Sequence, residues 1–119
     1  MGLLKEKSFK LAVRVVNLYK IVANERKEFV MSKQLLRSGT SIGANIREAN
    51  YGESKKDFIH KLAIAQKEAD ETIYWMELLK ATDYLSIDEF ESISQDAIEI
   101  IKMITASIKT AKNSLKENV

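Results

Sequence analysis

The sequence predicts an all-α protein, an antiparallel up-down-up-down four-helix bundle formed as a single domain over residues 1–119. The chain contains no proline and only four glycines, which leaves few residues for the tight turns that a β-rich fold needs. Apolar residues recur at spacings of three and four over long stretches. The segments between these stretches are short, and short connections between long helices favour antiparallel neighbours.

The predicted helices cover residues 4–25, 32–49, 55–82 and 87–117. The third and fourth helices show the clearest periodicity, since their apolar residues follow one face. These residues are Phe58, Leu62, Ala65, Ala69, Met76 and Leu79 in the third helix, and Phe90, Ile93, Ala97, Ile101, Ile104, Ile108, Ala111 and Leu115 in the fourth.

Both of these helices begin with a capping signal. A serine that accepts a hydrogen bond from a first-turn N–H, with an acidic residue three positions later, forms a capping box. Ser86 and Glu89 fit this pattern fully, and Ser54 and Asp57 are a weaker version of it. The serines therefore fix where the two helices start.

Composition excludes several classes of protein. With 45% hydrophobic and 30% charged residues the chain has a globular balance, which excludes disorder. The absence of cysteine excludes disulfides, thiolate metal sites and cysteine nucleophiles. No apolar run has the length of a signal peptide or of a membrane span. We therefore expect a cytoplasmic protein with no membrane partner.

The first helix is more apolar than an outer helix of a bundle requires. Its apolar residues extend around well over half of the helix in two sets, Phe9, Ala12, Val13, Val16 and Ala23 on one face and Leu11, Val15, Leu18, Tyr19 and Val22 beside it. An arc of roughly 100° is enough for a core-facing helix. These additional apolar residues must be covered either by a deep position of the helix in the monomer or by a second subunit. With buried area as the criterion, the second subunit is favoured. This interpretation predicts Leu11, Val15 and Leu18 in an oligomer interface.

The third helix also carries apolar residues beyond its core face: Ile59, Ile64, Tyr74, Trp75 and Leu78. Tyr74 and Trp75 each combine a large apolar ring with one polar group, a combination that is enriched at interfaces. Aromatic residues of this kind also seal the ends of bundles. The sequence leaves both alternatives open, an oligomer interface or a seal at the bundle end.

The second helix contains two glycines four residues apart, Gly39 and Gly43. A glycine inside a helix costs about 1 kcal/mol relative to alanine, so we expect a close approach of a neighbouring backbone to offset the cost. The spacing fits neither a P-loop nor a dinucleotide fingerprint. We expect Asn45 to hydrogen-bond a neighbouring helix, because a buried amide without a partner is costly. The predicted helix-packing residues are Gly39, Ile42, Gly43, Asn45 and Ile46.

No constellation of residues supports catalysis or metal binding. A di-iron bundle needs two Glu-x-x-His pairs, whereas the chain has one histidine, His60, preceded at that spacing by Asp57. Glu68 and Glu71 lie one turn apart, and we expect them to form salt bridges with lysines of an adjacent helix or subunit. The sequence therefore predicts a protein that is not an enzyme, with no metal site and no cofactor.

Charge is distributed unevenly along the chain. Residues 1–37 hold nine basic and three acidic side chains, and residues 81–119 hold four basic and seven acidic ones, with the acids early and the lysines late. A clustered basic surface attracts phosphate backbones, although lysine also serves as solvated cover on amphipathic helices. The candidate nucleic-acid-binding residues are Lys7, Lys10, Arg14, Lys20, Arg26 and Lys27.

Three stretches of the chain resemble a known family. They are QLLRSGTSIGANIREA at residues 34–49, SKKDFIHKLAIAQKE at 54–68 and ETIYWMELL at 71–79. Together they resemble the four-helix-bundle proteins encoded within intervening sequences of bacterial 23S ribosomal RNA genes, to which the accessory variability proteins of diversity-generating retroelements are related. The positions typical of the family are Ser41, Ile42, Asn45, Ile46, Glu48, Phe58, Leu62 and Glu71, and Ala49 stands where a glycine is frequent.

The resemblance implies an antiparallel bundle that assembles as a homopentamer with a basic surface or pore. Retroelement members of this kind bind a reverse transcriptase and nucleic acid. The resulting hypothesis is a ring-forming, nucleic-acid-binding accessory protein that favours structured RNA or RNA–DNA hybrids without tight base specificity. The alternative hypothesis is an oligomeric scaffold that binds a protein partner, such as a reverse transcriptase, without contacting nucleic acid.

Overall fold

The computed structural model describes residues 2–117, which form four α-helices. These are α1 (Gly2–Asn24), α2 (Met31–Asn50), α3 (Lys55–Ala81) and α4 (Ile87–Glu117). Their ends lie within two residues of the boundaries that the apolar periodicity and the capping signals predict. The bundle is elongated, with extents of 54 × 21 × 20 Å. Across the described part of the chain, no helix is long and apolar enough to cross a membrane.

Along each pair of neighbouring helices, residue numbers rise in one helix while those of the contacting residues fall in the other. Between α2 and α3, for example, Arg37 contacts Glu68 whereas Glu48 contacts Lys61. The same reversal holds for Val15–Gly39 and Ser8–Gly43 between α1 and α2, Gln66–Thr105 and Lys55–Ser114 between α3 and α4, and Lys7–Glu99 and Arg14–Asp96 between α1 and α4. All four neighbouring pairs are therefore antiparallel, which gives the predicted up-down-up-down bundle.

The two predicted capping signals are present. The Ser86 hydroxyl accepts from the N–H of Glu89 at 3.1 Å, and the Glu89 carboxylate accepts from the N–H of Ser86 at 2.9 Å, which completes a capping box. The Ser54 hydroxyl accepts from the N–H of Asp57 at 3.1 Å. Each serine satisfies a backbone donor that would otherwise lack a partner in the first turn of its helix.

The start of α2 is capped by a residue that the sequence analysis did not single out. The buried carboxylate of Glu28 accepts from the N–H groups of Val30, Met31 and Ser32 at 3.1, 3.1 and 2.7 Å. Burial raises the pKa of Glu28, but the backbone hydrogen bonds outweigh it and leave the pKa below its ordinary value. Glutamate is not among the preferred capping residues, so no local signal marked this position.

The core corrects the prediction for α1. Leu11, Val15 and Leu18 are buried within the single chain, so the prediction that they face a second subunit is wrong. The exposed apolar residues of α1 belong instead to the other predicted set, in which Phe9 is 55% and Val13 is 44% exposed. The two apolar arcs overlap on the helix, and periodicity alone does not say which one points inward.

The two glycines of α2 lie against α1. A Cβ atom added at Gly39 would lie 2.6 Å from Cγ1 of Val15, and one added at Gly43 would lie 3.4 Å from the Ser8 hydroxyl. Ile42 is fully buried, as is Ile46 one turn later. The backbone of α2 therefore approaches α1 at Gly39 as closely as the absence of a side chain permits.

Asn45 does not reach a neighbouring helix. Its side-chain amide donates to the backbone carbonyl of Ser41, one turn earlier in α2, at 2.8 Å. The prediction of an interhelical hydrogen bond is therefore wrong. Asn45 is half-buried rather than buried, and the Ser41 carbonyl of its own helix is the hydrogen-bond acceptor for its amide.

The helices differ in length, and this leaves one end of the bundle with two helices instead of four. Lys7 pairs with Glu99, and α1 begins five residues before Lys7, so the start of α1 lies near the level of Ile104. The remaining turns of α4, residues 105–117, extend roughly 20 Å farther. The first three turns of α3 accompany them, since Gln66 donates to the Thr105 hydroxyl at 2.7 Å and Lys55 donates to the Ser114 hydroxyl at 2.5 Å.

Candidate nucleic-acid interface

Half of the predicted nucleic-acid-binding residues are engaged in ion pairs along the seam between α1 and α4. Lys7 pairs with Glu99. Arg14 pairs with Asp96 and also donates to the Ser92 hydroxyl at 2.6 Å. Because the helices are antiparallel, successive basic residues of α1 meet successive acidic residues of α4, and the charges cancel locally.

Of these three pairs, the one that Arg26 forms is bidentate. Its guanidinium donates to both carboxylate oxygens of Glu89 at 2.9 and 2.8 Å, and to the backbone carbonyl of Tyr84 at 2.7 Å. The hydrogen bond from Arg26 lowers the pKa of Glu89 to about 2, and the same bond raises the pKa of Arg26. Both side chains are about two-thirds covered, so this pair ties the loop after α1 to the start of α4.

The other three predicted residues are exposed. Lys10 pairs with Glu6 on its own helix at 3.1 Å. Lys20 lies on the outer side of α1, and Lys27 lies in the loop after α1 with a positive φ of 60°. These three do not lie on one continuous surface, since Lys10 is near the start of α1 and Lys27 is beyond its end. The basic segment 1–37 therefore does not form a uniformly positive face.

A second group of basic residues lies at the two-helix end of the bundle, where the sequence analysis named no candidates. Its members are exposed, and in the chain from Gly2 to Glu117 they make no ion pair: Lys55, Lys56, Lys109, Lys112 and Lys116. The order of charges along α4 was the available signal, since five acids precede Ile100 and four lysines follow it. The division was visible in the sequence, but no binding candidates were assigned to these lysines.

The two predicted carboxylates of α3 form salt bridges with one arginine. Arg37 of α2 pairs with Glu68 at 3.1 Å and also with Glu71. The partner is thus an arginine of an adjacent helix, where lysines were expected. His60 is exposed on α3, and among the described residues no group of three or more acidic or histidine side chains could hold a metal ion.

Tyr74 and Trp75 occupy different environments. Tyr74 is 54% exposed, whereas Trp75 is half-buried and packs against the core. Their rings meet edge to face, with centroids 5.1 Å apart. Of the two alternatives, Tyr74 keeps a surface that a second subunit could cover, and Trp75 serves mainly to cover the flank of the core.

An apolar surface remains on the outer side of α1 and extends onto α2. We call it the α1 outer face and define it by Phe9, Ala12, Val13, Val16 and Ala44. Phe9, Val13 and Ala44 are exposed, and the other two are half-buried. The guanidinium of Arg47 lies over the Phe9 ring, 5.5 Å from its centre.

Comparison with known proteins places the chain in a family. The sequence model of the 23S rRNA-intervening sequence protein matches residues 3–106. The chain is also similar to a crystal structure at 1.70 Å resolution of a protein with unknown function from the S23 ribosomal protein family of Bacteroides thetaiotaomicron VPI-5482, with 60% identity and a TM-score of 0.88 over 89% of this chain and 98% of that one. No functionally curated protein matches at a significant level. The chain belongs to the 23S rRNA-intervening sequence protein family.

Proposed function

We propose that this protein is a non-enzymatic, homo-oligomeric accessory protein that binds nucleic acid, with a pentamer as the assembly that the family resemblance implies. One observation carries the proposal: ion pairs neutralise Lys7, Arg14 and Arg26, yet leave a separate group of exposed lysines at the two-helix end. Lysines in a folded protein that pair with no acid are available to phosphates.

The energetic argument rests on counterion release. Each phosphate that a lysine neutralises releases a condensed counterion, so affinity falls steeply as salt rises. The two-helix end of one subunit offers only five such lysines, together with Lys102 earlier in α4. An assembly would repeat the group in every subunit and bring several phosphate contacts to one polymer, which raises the avidity.

The α1 outer face supports self-association. Its exposed apolar residues, led by Phe9 and Val13, form a contiguous surface of the kind that subunit interfaces cover. The residues that define the face are all uncharged, and the guanidinium of Arg47 lies over the Phe9 ring. A second copy of the chain would bury it, whereas the residues first expected there are buried already within the monomer.

Fluorescence anisotropy with labelled RNA and DNA oligonucleotides, measured over a salt series, tests the binding. We expect affinity that is measurable at low salt and declines linearly on a log–log plot with increasing salt. Undetectable binding at low salt would contradict the proposal. If nuclease-treated extracts then yielded a polypeptide partner, the scaffold hypothesis would take its place.

Light scattering at micromolar concentration tests the assembly. We expect a multimer for the native chain and a monomer for Phe9→Glu, because burying a carboxylate in an apolar interface is costly even with Arg47 nearby. Ile98→Glu is the matched control, since Ile98 is an exposed apolar residue of α4 outside the α1 outer face. A monomeric native chain, or a multimer that Phe9→Glu leaves intact, would contradict this assignment.

A further inference from the structure

We infer that a second copy of this chain covers the α1 outer face with a different surface, the acidic side of α3. We call that surface the α3 acidic face and define it by Asp70, Glu71, Tyr74 and Glu77. The inference rests on the self-association in the proposed function, and it adds the identity of the surface that the second copy uses. Two unlike surfaces meet at each contact between subunits.

The α1 outer face has a basic rim. Lys5 and Arg47 line the groove that runs beside the Phe9 ring between α1 and α2. Lys20 lies farther along the same side of α1, since it follows Phe9 by eleven residues, which is about three helical turns. None of these three cations makes an ion pair within residues 2–117. The apolar residues are therefore bordered by positive charge that has no partner in the chain.

This rim opposes contact of the face with its own copy. In a two-fold dimer the same patch meets itself, so the cations of one copy would approach those of the other. Glu6 also lines a groove beside Phe9, but Lys10 of the same helix already pairs with it at 3.1 Å. Like charges that face each other across an interface are repulsive. The face therefore requires an acidic partner surface.

The α3 acidic face supplies the opposite charge. Asp70 and Glu77 are exposed one turn before and one turn after Tyr74, so the three side chains share one side of α3. Across residues 2–117 neither acid makes an ion pair. The nearest base in the same exposed row is Lys67, one turn before Asp70. The centre of this row is therefore acidic.

A third carboxylate adds to the negative charge of the α3 acidic face. Arg37 pairs with Glu68 as well as with Glu71. Two carboxylates thus share one guanidinium, and this group keeps a net negative charge. Glu71 precedes Tyr74 by three residues, so the group borders the exposed ring.

Tyr74 supplies the apolar contact of this surface. Its side chain is 54% exposed, and its ring meets the Trp75 ring edge to face, with centroids 5.1 Å apart. Trp75 packs against the core, so it holds the Tyr74 ring in place before a partner binds and lowers the entropic cost of association. The ring can pack on the exposed apolar residues of the α1 outer face while its hydroxyl stays at the polar rim.

The two faces lie on different sides of the bundle. α1 and α3 each contact α2 and α4 but do not contact each other, so they are diagonally opposite. One copy can therefore use both faces at once, each with a different neighbour. A head-to-tail contact of this kind repeats from copy to copy, and it closes into a ring or continues as a filament rather than ending at a two-fold dimer.

The first experiment reverses charges and measures the assembly by sedimentation velocity. Asp70→Lys/Glu77→Lys should raise the dissociation constant of the multimer about tenfold or more, because the new lysines would face the basic rim. Lys5→Glu/Lys20→Glu should do the same. The chain that carries all four substitutions should assemble again, because opposite charges then meet once more.

Glu53→Lys/Glu91→Lys is the matched control for the acid-to-lysine variant. Both glutamates are exposed and lie outside the two faces, and within the described chain neither makes an ion pair. This control should assemble like the native chain. If Asp70→Lys/Glu77→Lys assembled as well as the control, the inference would be overturned.

The second experiment tests the apolar part of the contact. Tyr74→Ser should weaken the assembly about tenfold, whereas Tyr74→Phe should assemble like the native chain. Tyr51→Ser is the control, because Tyr51 is 83% exposed but lies at the end of α2, outside both faces. Equal effects of the two serine variants would remove Tyr74 from the interface. Circular dichroism of each variant shows that the bundle remains folded.

The third experiment mixes two variants to test whether the surfaces in contact are different. Phe9→Glu blocks the α1 outer face and Asp70→Lys/Glu77→Lys blocks the α3 acidic face, so each chain alone should be a monomer. Mixed in equal amounts, they should form a heterodimer through their intact faces, which light scattering detects as a doubled mass. A mixture that remains monomeric would contradict the pairing of unlike surfaces.

The outcomes distinguish this inference from the proposed function. If the native chain is a monomer, the proposed self-association fails. If it is a multimer that Phe9→Glu dissociates and the α3 variants leave intact, only this inference fails. A native chain that stops at a dimer would also overturn the inference, because two unlike faces leave one of each free for further contacts.

Discussion

The two flanks of α1 pack by different means, although they belong to the same helix. Toward α2, the contact is apolar and close, with Val15 against the backbone at Gly39. Toward α4, the contact includes a row of ion pairs, from Lys7–Glu99 to Arg26–Glu89. The packing of α1 on α2 therefore depends on close apolar contact, whereas the packing of α1 on α4 also includes ion pairs.

This difference predicts how each flank responds to change. A close apolar contact tolerates neither added volume nor a cavity, and salt and pH hardly affect it. A row of partly exposed ion pairs tolerates substitution but responds to pH and salt. Three substitutions, ordered from the largest expected effect to the smallest, test this contrast.

The largest effect is expected for Gly39→Ala. The added methyl group would overlap Val15, whose branched side chain has little rotamer freedom. Overpacking should outweigh the higher helix propensity of alanine, so we expect a net loss of about 1–2 kcal/mol in the free energy of unfolding. Urea denaturation measures the loss.

Gly43→Ala is the matched control for this substitution. A Cβ atom at Gly43 would be at ordinary contact distance from Ser8, so the gain in helix propensity should leave the stability unchanged or raised. In a double-mutant cycle, Val15→Ala should cost less in the Gly39→Ala background than in the native chain. If Gly39→Ala proved as stable as Gly43→Ala, the close approach would not limit stability.

An intermediate effect is expected for Glu89→Gln. Glutamine preserves the capping acceptor for the N–H of Ser86 but removes the charge that Arg26 contacts, so we expect a loss of about 1 kcal/mol at neutral pH. The folded pKa of Glu89 is about 2, below the roughly 4.3 of an unfolded chain. Its stabilisation is thus complete above pH ~4.3 and is lost as pH falls toward about 2.

Thermal unfolding between pH 7 and pH 2 checks this prediction. The native melting temperature should fall toward acid more steeply than that of Glu89→Gln, and the two curves should converge near pH 2. Glu28 also has a lowered pKa, so the variant should keep a smaller acid dependence. Parallel curves for the two proteins would show that the Arg26–Glu89 pair does not contribute.

The smallest effect is expected for Lys7→Gln. In the Lys7–Glu99 pair, more than half of the glutamate side chain is exposed, and exposed pairs contribute about 0–1 kcal/mol. We expect a loss near the lower limit, and it should vanish at 1 M salt, where the Debye length is roughly 3 Å. A loss as large as that of Glu89→Gln would mean that the contribution of these ion pairs to stability does not depend on their solvent exposure.

The sequence predicted the helices well because their signals are local. Ser54 and Ser86 mark helix starts through hydrogen bonds within one turn, and the periodicity of α3 and α4 needs only one helix to be read. The role of Gly39 was also accessible, since an uncompensated glycine in a helix indicates a close neighbour. Nothing in these inferences requires knowing which helix lies opposite.

The errors concern relations between helices. The orientation of α1 depends on which of two apolar arcs meets Gly39, and the availability of Arg14 depends on Asp96, which is 82 residues away in the chain. Asn45 was assigned a partner on another helix because its exposure could not be judged. Glu28 was missed because its capping geometry arises from the path of the loop rather than from a residue preference.

The unequal lengths of the helices have a consequence for local dynamics. Residues 105–117 of α4 rest on the start of α3 alone, so they have fewer neighbours to resist opening than the four-helix part of the bundle. Their backbone amides should exchange hydrogen for deuterium sooner than those around Ile100, through fraying that leaves the rest of the bundle folded. Nucleic acid bound to the lysines of this end would slow that exchange, and the stretch of α4 that becomes protected would mark the footprint of the ligand.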